Sequence, residues 1–458
     1  MKDAQQDHMR GHARGVERLF LDFDSFFASA EQHFNPALRG KPLGVVPLDS
    51  PHTSCIAISR EAKALGLSGH LSIAEARARV PDMIFVVARH DVYVDLHNDI
   101  LEVIESCLPI SQVRSIDELV CELLPSEAAE GAALAARIKR ALCKRFSAAL
   151  TCSIGMAPTE LLAKIAAEAS KPDGFALVQA QELPERFAQL SLDDLPGISR
   201  GMSKRLAAAG VQDFCDLWSL APKQARALWG NVEGERFWNG LHGYHVKRPA
   251  QRKGMFGHSR NLPHDWQDPQ KAGDCARQLC LSAARRLRRT DMSATKLTLS
   301  FSGRRPAPQT RRGEEYLRWD HQEHFLPARD DQAFLTALRS GLAQARRALG
   351  FRPRSVTVML HGLRHADEMT DDLFDQHPVA GTAPAQRRAQ WERVSETLDL
   401  LRARHGPEVI SLGPRTEIPG GYLGAKIVFG RIPDAADFNE APKSPRDTHF
   451  CTLPPLKS

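Results

Sequence analysis

The sequence has no long apolar run, no paired cysteines and no internal repeat of fixed period. Nothing approaches the roughly 18 consecutive apolar residues of a membrane-spanning helix, and the polar segment 1–17 lacks the apolar core of a secretion signal. The nine cysteines are scattered singly, without a C-x-x-C pair or a histidine at ligand spacing, which argues against a disulfide framework and a structural zinc site. We expect a cytoplasmic protein without membrane contact, with a flexible tail at 1–17.

What the sequence does contain is apolar material for several cores and an uneven distribution of charge. Its 458 residues are 42% hydrophobic and 25% charged, and this length predicts roughly two to four domains. Residues 251–366 hold 22 Lys/Arg against 10 Asp/Glu, a local charge of +12, whereas the whole chain carries only +6. A basic lobe on an acidic body predicts a polyanion as the partner of that lobe.

The order of helix and strand patterns divides the chain into blocks. Strand and helix signals alternate between residues 18 and 170, which is typical of an α/β block. Residues 185–246 are helical and punctuated by glycine. The basic block follows a β-α-β-β-α-β order, which suits a small open sheet backed by two helices, and from residue 366 the pattern weakens.

Acidic residues lie inside two strand-like stretches. In LFLDFDSFF, residues 19–27, Asp22 and Asp24 share one face of an extended strand. In VRSIDELVCEL, residues 113–123, Asp117 and Glu118 are adjacent, so alternation lets one of them join Asp22, and both join only if the strand ends or bends there. Acids from two strands of one block form a cage for hard divalent cations that keep positions open for phosphates.

Four motifs give the chain a family resemblance. LDFDSFFASAE, SIDE, TCSIGMAPTELLAKIAAEASKPDG and LPGISRGMSKRLAAAGV occur in the order and approximate spacing found in the Y-family translesion DNA polymerases, and the chain resembles their bacterial DinB/UmuC-like group. The resemblance implies a mixed α/β and α+β right-hand polymerase. Its parts are a ferredoxin-like palm at 18–40 and 82–184, fingers at 41–81, a helix-hairpin-helix thumb at 185–246, a DNA-binding little finger at 247–366 and a partly disordered C-terminal extension at 367–458.

The resemblance also implies a reaction and its partners. A Y-family polymerase adds dNTPs to a primer 3′ end on a template, with errors, without proofreading and with two Mg²⁺ ions. On that pattern Asp22, Asp117 and Glu118 are catalytic and hold the metals, with the carbonyl of Phe23 as a further ligand. Primer-template DNA and the replicative sliding clamp are the expected partners of a monomer that acts in the SOS response to DNA damage.

The resemblance further assigns residues to the incoming nucleotide. Phe27 resembles the family's steric gate beneath the sugar, although spacing alone does not separate it from Phe26. Lys171 is the candidate for the triphosphate. In the fingers Arg60 and Lys63 stand where the family usually has Tyr and Arg, which keeps the positive charge but puts nucleotide affinity in doubt.

Other residues are candidates for contact with DNA or the clamp. Gly197 and Ser199, in LPGISRG, resemble a helix-hairpin-helix whose amides bind a phosphate, with a plain helical turn as the alternative. The basic block offers four arginines to a duplex backbone, Arg285, Arg286, Arg288 and Arg289. A clamp peptide is predicted at Leu373 and Phe374, which would otherwise cover the little-finger sheet; the segment 189–192 also resembles part of the clamp consensus.

Two other functions remain compatible with these patterns. One is a catalytically weak Y-family homologue that binds DNA as a scaffold in a translesion complex. The other is a helix-hairpin-helix DNA repair protein without nucleotidyl transfer. Retention of Asp22, Asp117 and Glu118 argues against the first, and primer extension would separate all three functions.

Overall fold

The structure is a computed structural model that describes residues 10–13, 15–47, 53–69, 71–246, 253–306, 314–365, 383–406, 409–410, 412–413 and 432. Almost all of these residues belong to two compact units, one ending before residue 250 and one beginning there. This division lies next to the predicted start of the little finger at residue 247. No helix in the described part of the chain is both long and apolar enough to cross a membrane.

The first unit contains ten strands and eleven α-helices among its described residues. The strands are β1 (Arg10–His12), β2 (Arg18–Phe23), β3 (Leu43–Val46), β4 (Ala57–Ile58), β5 (Ile84–Val87), β6 (Gln112–Val113), β7 (Glu118–Glu122), β8 (Cys152–Ala157), β9 (Phe175–Leu177) and β10 (Tyr244–Val246). The helices are α1 (Phe26–Phe34), α2 (Arg60–Ala64), α3 (Ile73–Arg79), α4 (His90–Glu105), α5 (Pro125–Ala129), α6 (Gly131–Arg145), α7 (Glu160–Ala169), α8 (Arg200–Ala208), α9 (Phe214–Trp218), α10 (Pro222–Trp229) and α11 (Val232–Leu241). Short 3₁₀ helices lie at Pro36–Leu38, Ala180–Glu182, Glu185–Phe187 and Leu192–Asp194.

A five-stranded sheet in the order β6-β7-β2-β8-β9 forms the centre of this unit. Strand β2 runs antiparallel to both β7 and β8. Helix α7 lies directly on β8, because a Cβ at Gly155 would come within 2.0 Å of the Ala163 carbonyl oxygen and only glycine permits that approach. The sheet and α7 share one apolar core with Met202, Leu206 and Phe214, which lie in the segment predicted as the thumb.

A second, smaller sheet in the order β4-β3-β5 corresponds to the predicted fingers. Strand β5 runs parallel to β3 and pairs with it from Leu43↔Ile84 to Val46↔Val87. The palm is predicted to resume at residue 82, but β5 pairs with β3 in the second sheet, so the change of sheet falls after Val87. The physical reason is that β5 completes the core beneath α2 and α3, where Phe85 is fully buried.

The N-terminal segment differs from the expected flexible tail. Residues Arg10–His12 form β1, which pairs antiparallel with β10 from Arg10↔Val246 to His12↔Tyr244. The Ala13 amide extends the pairing by donating to the Gly243 carbonyl at 2.8 Å. The prediction of a wholly flexible 1–17 is therefore wrong for this stretch, because β10 offers an open edge that satisfies its backbone groups.

The second unit has the predicted β-α-β-β-α-β order. Its elements are β11 (Met255–Asn261), α12 (Pro269–Arg288), β12 (Met292–Pro306), β13 (Glu314–Ala328), α13 (Asp331–Ala348), β14 (Pro353–His361), β15 (Arg364–His365) and α14 (Ala383–His405), with a 3₁₀ helix at His264–Trp266. The main sheet has the order β11-β14-β12-β13, and its neighbouring strands are antiparallel. Helices α12 and α13 contribute their apolar sides to one core with these strands.

Helix α14, in the C-terminal extension, is held to this unit by buried charge. The guanidinium of Arg288 has a side chain only 4% exposed, and it contacts Asp331 and Asp399 at 2.7 Å each. Ser395 of the same helix accepts a 3.0 Å hydrogen bond from the Asp331 amide. A helix held by charged and polar contacts needs no apolar stripe. The sequence pattern is therefore weak in this segment, although α14 forms there.

Candidate active site

Asp22 and Glu118 face each other across two strands of the central sheet. They are directly opposed in the antiparallel pairing of β2 and β7, so their side chains lie on the same face. Asp22 is buried at 4% exposure, although the residues on either side of it in β2 are apolar. As predicted, one acid from each of the two strands lies on the same face of the sheet.

Asp117 precedes β7 in the turn that connects β6 to β7. The amides of Arg114 and Ser115 both donate to the Glu118 carbonyl, so the chain bends where alternation would otherwise have turned Asp117 away. The Ser115 hydroxyl donates to the Asp117 carboxylate. Because β7 begins only at Glu118, strand alternation no longer directs Asp117 away from Asp22. Asp117 and Glu118 can therefore both approach Asp22, which the sequence allowed only if the strand ended or bent at this point.

Helix α7 and the turn that follows it bring one more acid and two lysines to this face. Carboxylate oxygens of Asp22, Glu118 and Glu168 all lie within 4.8 Å of one another. Lys171 Nζ contacts Asp22 Oδ1 at 2.7 Å and Glu168 Oε1 at 2.9 Å. Lys164 Nζ donates to Glu118 and lies 5.0 Å from the centre of the Phe20 ring. The ammonium groups thus partly neutralise a dense cluster of carboxylates.

The electrostatics of the cluster favour an additional cation. Burial raises the pKa of Asp22 to about 8 even though Lys171 acts in the opposite direction, and Glu168 and Asp117 raise it further. Burial also raises the pKa of Asp117. Burial alone would lower the pKa of Lys171, but Asp22 and Glu168 more than reverse this. Closely spaced carboxylate oxygens with unfavourable ionisation are the donor set that suits a hard divalent cation.

Asp24 has a different role from Asp22. Its buried carboxylate accepts hydrogen bonds from the hydroxyls of Thr151 and Ser153 at 2.8 and 2.9 Å and from the Asp173 amide at 2.8 Å. These bonds tie the end of β2 to β8 and to the turn after Lys171. Asp24 therefore fixes the position of the lysine-bearing turn, and its oxygens are already engaged.

Two cations of the fingers lie beside the same face. Arg60 Nη1 donates to the Thr151 hydroxyl at 3.2 Å, which connects α2 to β8. Burial lowers the pKa of Lys63, and the neighbouring charge of Lys171 lowers it further, whereas Asp24 and Asp22 raise it. The structure thus brings Lys63 and Lys171 near the same carboxylates, as a triphosphate site requires.

Phe26 and Phe27 are both buried but have different neighbours. The Phe27 ring stacks on Tyr93 with centroids 4.7 Å apart and an interplanar angle of 19°, and it meets His90 edge-on at 5.8 Å. Phe26 lies 5.9 Å from Phe23, the residue after Asp22, and 5.9 Å from Phe27 itself. The sequence could not separate the two rings, whereas in the described part of the chain it is the Phe27 ring that stacks on a side chain of α4.

The candidate DNA contacts divide into two groups. Gly197 has a φ of +91°, a conformation that favours glycine, and Ser199 caps α8 by accepting a hydrogen bond from the Met202 amide. The exposed helix start that a helix-hairpin-helix needs is thus formed. Among the arginines, Arg286 donates to the Gly257 carbonyl at 2.8 Å, and Arg289 follows the last residue of α12.

Arg288 corrects a prediction. Its buried guanidinium is shared between Asp331 and Asp399, so it is not available to a DNA phosphate. A run of four arginines spans a full helical turn, so at least one of them must face the protein, and here that residue is Arg288. Leu373 and Phe374, the predicted clamp peptide, lie outside the described residues.

Glu168 is the site residue that the sequence patterns did not reveal. It lies four residues after Lys164 and three before Lys171, so helical spacing puts it on the same face as both lysines. That spacing was a usable signal, but an acid in a helix with many charged neighbours carries little weight until the strand acids are known to lie opposite.

Carboxylates from two strands and a helix, together with cations from helix α2, define a metal-dependent nucleotidyl- or phosphoryl-transfer site. Two family models match the chain, the impB/mucB/samB family over residues 21–168 and its C-terminal domain over residues 254–373, and together they span more than half of it. The chain belongs to this family, the Y family of DNA polymerases.

Individual relatives agree with this assignment. A DNA polymerase IV of Moorella thermoacetica is 28% identical over 407 residues, which cover 86% of this chain and 94% of that protein. A DNA polymerase IV of Sulfurisphaera tokodaii is 31% identical over 208 residues, 44% of this chain and 59% of the relative. With that relative the similarity therefore spans only part of its length.

Solved structures confirm the predicted fold class. A Y-family DNA polymerase chimera of Dbh and Dpo4 has a TM-score of 0.62 at 22% identity and covers 76% of this chain and 100% of the chimera. An insertion ternary complex of Dbh DNA polymerase has a TM-score of 0.51 at 24% identity, covering 76% of this chain and 98% of Dbh. At these identities the likeness concerns the fold.

Proposed function

We propose that the protein is a template-directed, error-prone translesion DNA polymerase that adds dNTPs to a primer 3′ end. The observation that carries the proposal is the convergence of the Asp22, Glu118 and Glu168 carboxylates in a chain that belongs to a polymerase family. Burial contributes most to the raised pKa of Asp22, and Asp117 also contributes. Its relatives are named DNA polymerase IV, and a neighbouring structure is titled an insertion ternary complex.

Carboxylate oxygens are the ligands that Mg²⁺ prefers, so this cluster suits two Mg²⁺ ions. Asp22, Asp117 and Glu118 would hold them, with the Phe23 carbonyl as a further ligand and Glu168 at the edge of the cluster. When bound, such ions activate the primer 3′ hydroxyl and stabilise the departing pyrophosphate.

The chain's own residues bind and orient the nucleotide. Lys171, Lys63 and Arg60 present positive charge to the triphosphate, and Lys171 exchanges its present partner Asp22 for a phosphate oxygen. Asp24 keeps the lysine-bearing turn in place through the Asp173 amide. Phe27 lies under the sugar and excludes a 2′-hydroxyl, both by its volume and because it offers no hydrogen-bond partner.

The second unit and the thumb grip the DNA in this proposal. The net charge of +12 over residues 251–366 supports contact with phosphates by counterion release, and the start of α8 at Gly197 and Ser199 supports a further phosphate contact. Leu373 and Phe374 are proposed to reach the sliding clamp. We also propose a cytoplasmic monomer induced in the SOS response, with no proofreading nuclease of its own.

Primer extension tests this function directly. Purified protein, a primed DNA template, dNTPs and Mg²⁺ should give template-directed products, and chelation of the metal should abolish them. A DNA-binding scaffold or a repair protein without nucleotidyl transfer would bind the primer-template and leave the primer unextended.

A further inference from the structure

A buried ion pair lies behind the aromatic cluster that contains Phe27. Glu31, on α1, is 0% exposed. Its carboxylate accepts two hydrogen bonds from Arg89, Nε to Oε1 at 3.0 Å and Nη2 to Oε2 at 2.7 Å. The Tyr93 hydroxyl donates to the same Oε1 at 2.6 Å. A carboxylate held by a bidentate guanidinium is a rigid acceptor, because both of its oxygens are fixed.

The ring of Tyr93, whose hydroxyl binds Glu31, also packs against the Phe27 ring. Phe27 and Glu31 are four residues apart on α1 and therefore lie on one face of the helix. The Tyr93 ring stacks on Phe27 while its hydroxyl reaches Glu31, so two points of α1 fix one side chain of α4. His90 closes the cluster edge-on against both rings, at 5.8 Å from Phe27 and 5.9 Å from Tyr93.

The hydroxyl of Tyr93 is suited to this anchoring. Burial and the adjacent Glu31 carboxylate both raise the pKa of Tyr93, so the phenol stays protonated and remains a donor. A neutral donor on a charged acceptor forms one of the stronger hydrogen bonds available in a protein interior. The ring that it carries therefore has little freedom to withdraw from Phe27.

We propose that Glu31, acting through Arg89 and Tyr93, is a positioning residue that sets how strictly Phe27 excludes ribonucleotides. This inference rests on the proposed function, in which Phe27 lies under the incoming sugar. A gate ring that can retreat by a fraction of an ångström admits a 2′-hydroxyl, whereas a ring backed by a fixed neighbour does not. Discrimination is thus a property of the whole Glu31–Arg89–Tyr93–Phe27 chain of contacts.

The decisive variant is Tyr93→Phe in the full-length protein, because it removes one hydroxyl and keeps the stacked ring. The measurement is the ratio of kcat/KM for dATP to that for ATP in single-nucleotide extension. We expect the ratio to fall by about threefold to tenfold, the range that corresponds to the net contribution of one ordinary intramolecular hydrogen bond. Glu31→Gln, which keeps the shape of the acceptor, should lower the ratio less, and it serves if Tyr93→Phe does not fold.

A double-mutant cycle separates positioning from ordinary core stability. In a Phe27→Ala background the gate is absent, so Tyr93→Phe should no longer change the dATP to ATP ratio. Tyr244→Phe is the matched control, since it removes a tyrosine hydroxyl from β10 in the same unit. A purely structural role of Tyr93 would lower the melting temperature and reduce dATP and ATP use alike, without changing the ratio.

The outcomes separate this inference from the proposed function. Extension by the wild-type protein with an unchanged ratio in Tyr93→Phe and Glu31→Gln overturns the inference alone. An equal change of the ratio with and without Phe27 also overturns it, because the effect would not pass through the gate. If the wild-type protein does not extend primers, the proposed function fails. The inference is then decided by the Kd ratio of ATP to dATP on a dideoxy-terminated primer-template, which should fall in Tyr93→Phe.

Discussion

Two neighbouring phenylalanines have nearly the same burial but different neighbours. Phe27 is stacked between α1 and α4 on Tyr93, whereas Phe26 contacts Phe23. Burial alone therefore cannot identify a functional ring. Its neighbours can, because a residue that must resist displacement needs support on the side away from the substrate.

Phe27→Ala should therefore raise the incorporation of ATP relative to dATP by at least about tenfold, since it opens space for the 2′-hydroxyl. Phe26→Ala is the matched control, because it removes an equally buried ring one position away. We expect Phe26→Ala to cost stability and to leave the ratio near the wild-type value. Single-nucleotide extension with each nucleotide measures both. A ratio that moves equally in the two variants would mean that neither ring is the gate.

His90 makes the stability of the first unit depend on pH. Neither ring nitrogen has a hydrogen-bond partner among the described residues, and burial lowers the pKa of His90 to about 4. Between pH 6.5 and 4 the unfolded chain binds a proton that the folded chain excludes, so stability falls as the pH drops through this window. The loss is at most about 3 kcal/mol.

His90→Phe should remove this part of the acid sensitivity. Urea unfolding at about pH 7 and about pH 4.5 would show a smaller difference in unfolding free energy for the variant than for the wild-type protein. The same difference in both proteins would show that His90 does not carry the effect.

At the scale of the element, apolar periodicity predicts individual helices and strands. It does not predict contacts between residues that are far apart in the sequence. The two helices of the second unit and the strands between them follow from their apolar spacing, because each element buries one side on a common core. The role of Arg288 does not follow, since its partner Asp399 lies far along the chain on α14. The helix itself was missed for the same reason, because ion pairs rather than an apolar stripe hold it.

The same contrast applies to the candidate site. Acids in apolar strands are costly and therefore conspicuous, which singled out Asp22, Asp117 and Glu118, but their common role as metal ligands was predicted from the family resemblance. The bend before Glu118, which brings Asp117 toward Asp22, was left open because strand alternation has no information about where a strand begins. Glu168 and the Glu31–Arg89–Tyr93 contacts depend on helices meeting in space, which sequence spacing alone does not specify.

The anchoring of α14 gives a prediction at this scale. Asp399→Ala leaves Arg288 with one buried partner and should destabilise the second unit by about 1–3 kcal/mol, with faster hydrogen exchange in α14. Glu396→Ala is the control on the same helix. Its contact with Arg329 is 3.5 Å long and half exposed, so it should cost less than about 1 kcal/mol. Equal effects of the two substitutions would contradict the anchoring role of Arg288.

At the scale of the whole molecule, charge is separated between the two units. Residues 251–366 carry a charge of +12 against +6 for the whole chain, so the proposed DNA grip lies on one part of the chain and the carboxylates on the other. Such a division lets affinity for the duplex backbone be set independently of the chemistry at the primer end.

The salt dependence of DNA binding tests whether the second unit carries the phosphate contacts. Truncation after Ala250 should weaken primer-template binding and flatten the plot of log K against log salt by about 0.9 for each phosphate that the protein no longer neutralises. Circular dichroism of the truncated chain, including its thermal transition, controls for folding of the first unit. An unchanged slope would place the grip on the first unit.

The central claim is that Asp22, Asp117 and Glu118 hold the metals of a nucleotidyl-transfer site. Its most direct test is single-nucleotide extension by Asp117→Asn beside wild-type protein, with primer-template affinity measured on the same samples. Because Asn keeps the shape of the side chain and removes its charge, we expect extension to fall below about 1% of the wild-type rate, with DNA affinity within about twofold. Extension by Asp117→Asn near the wild-type rate, with the same dependence on Mg²⁺, would contradict the account.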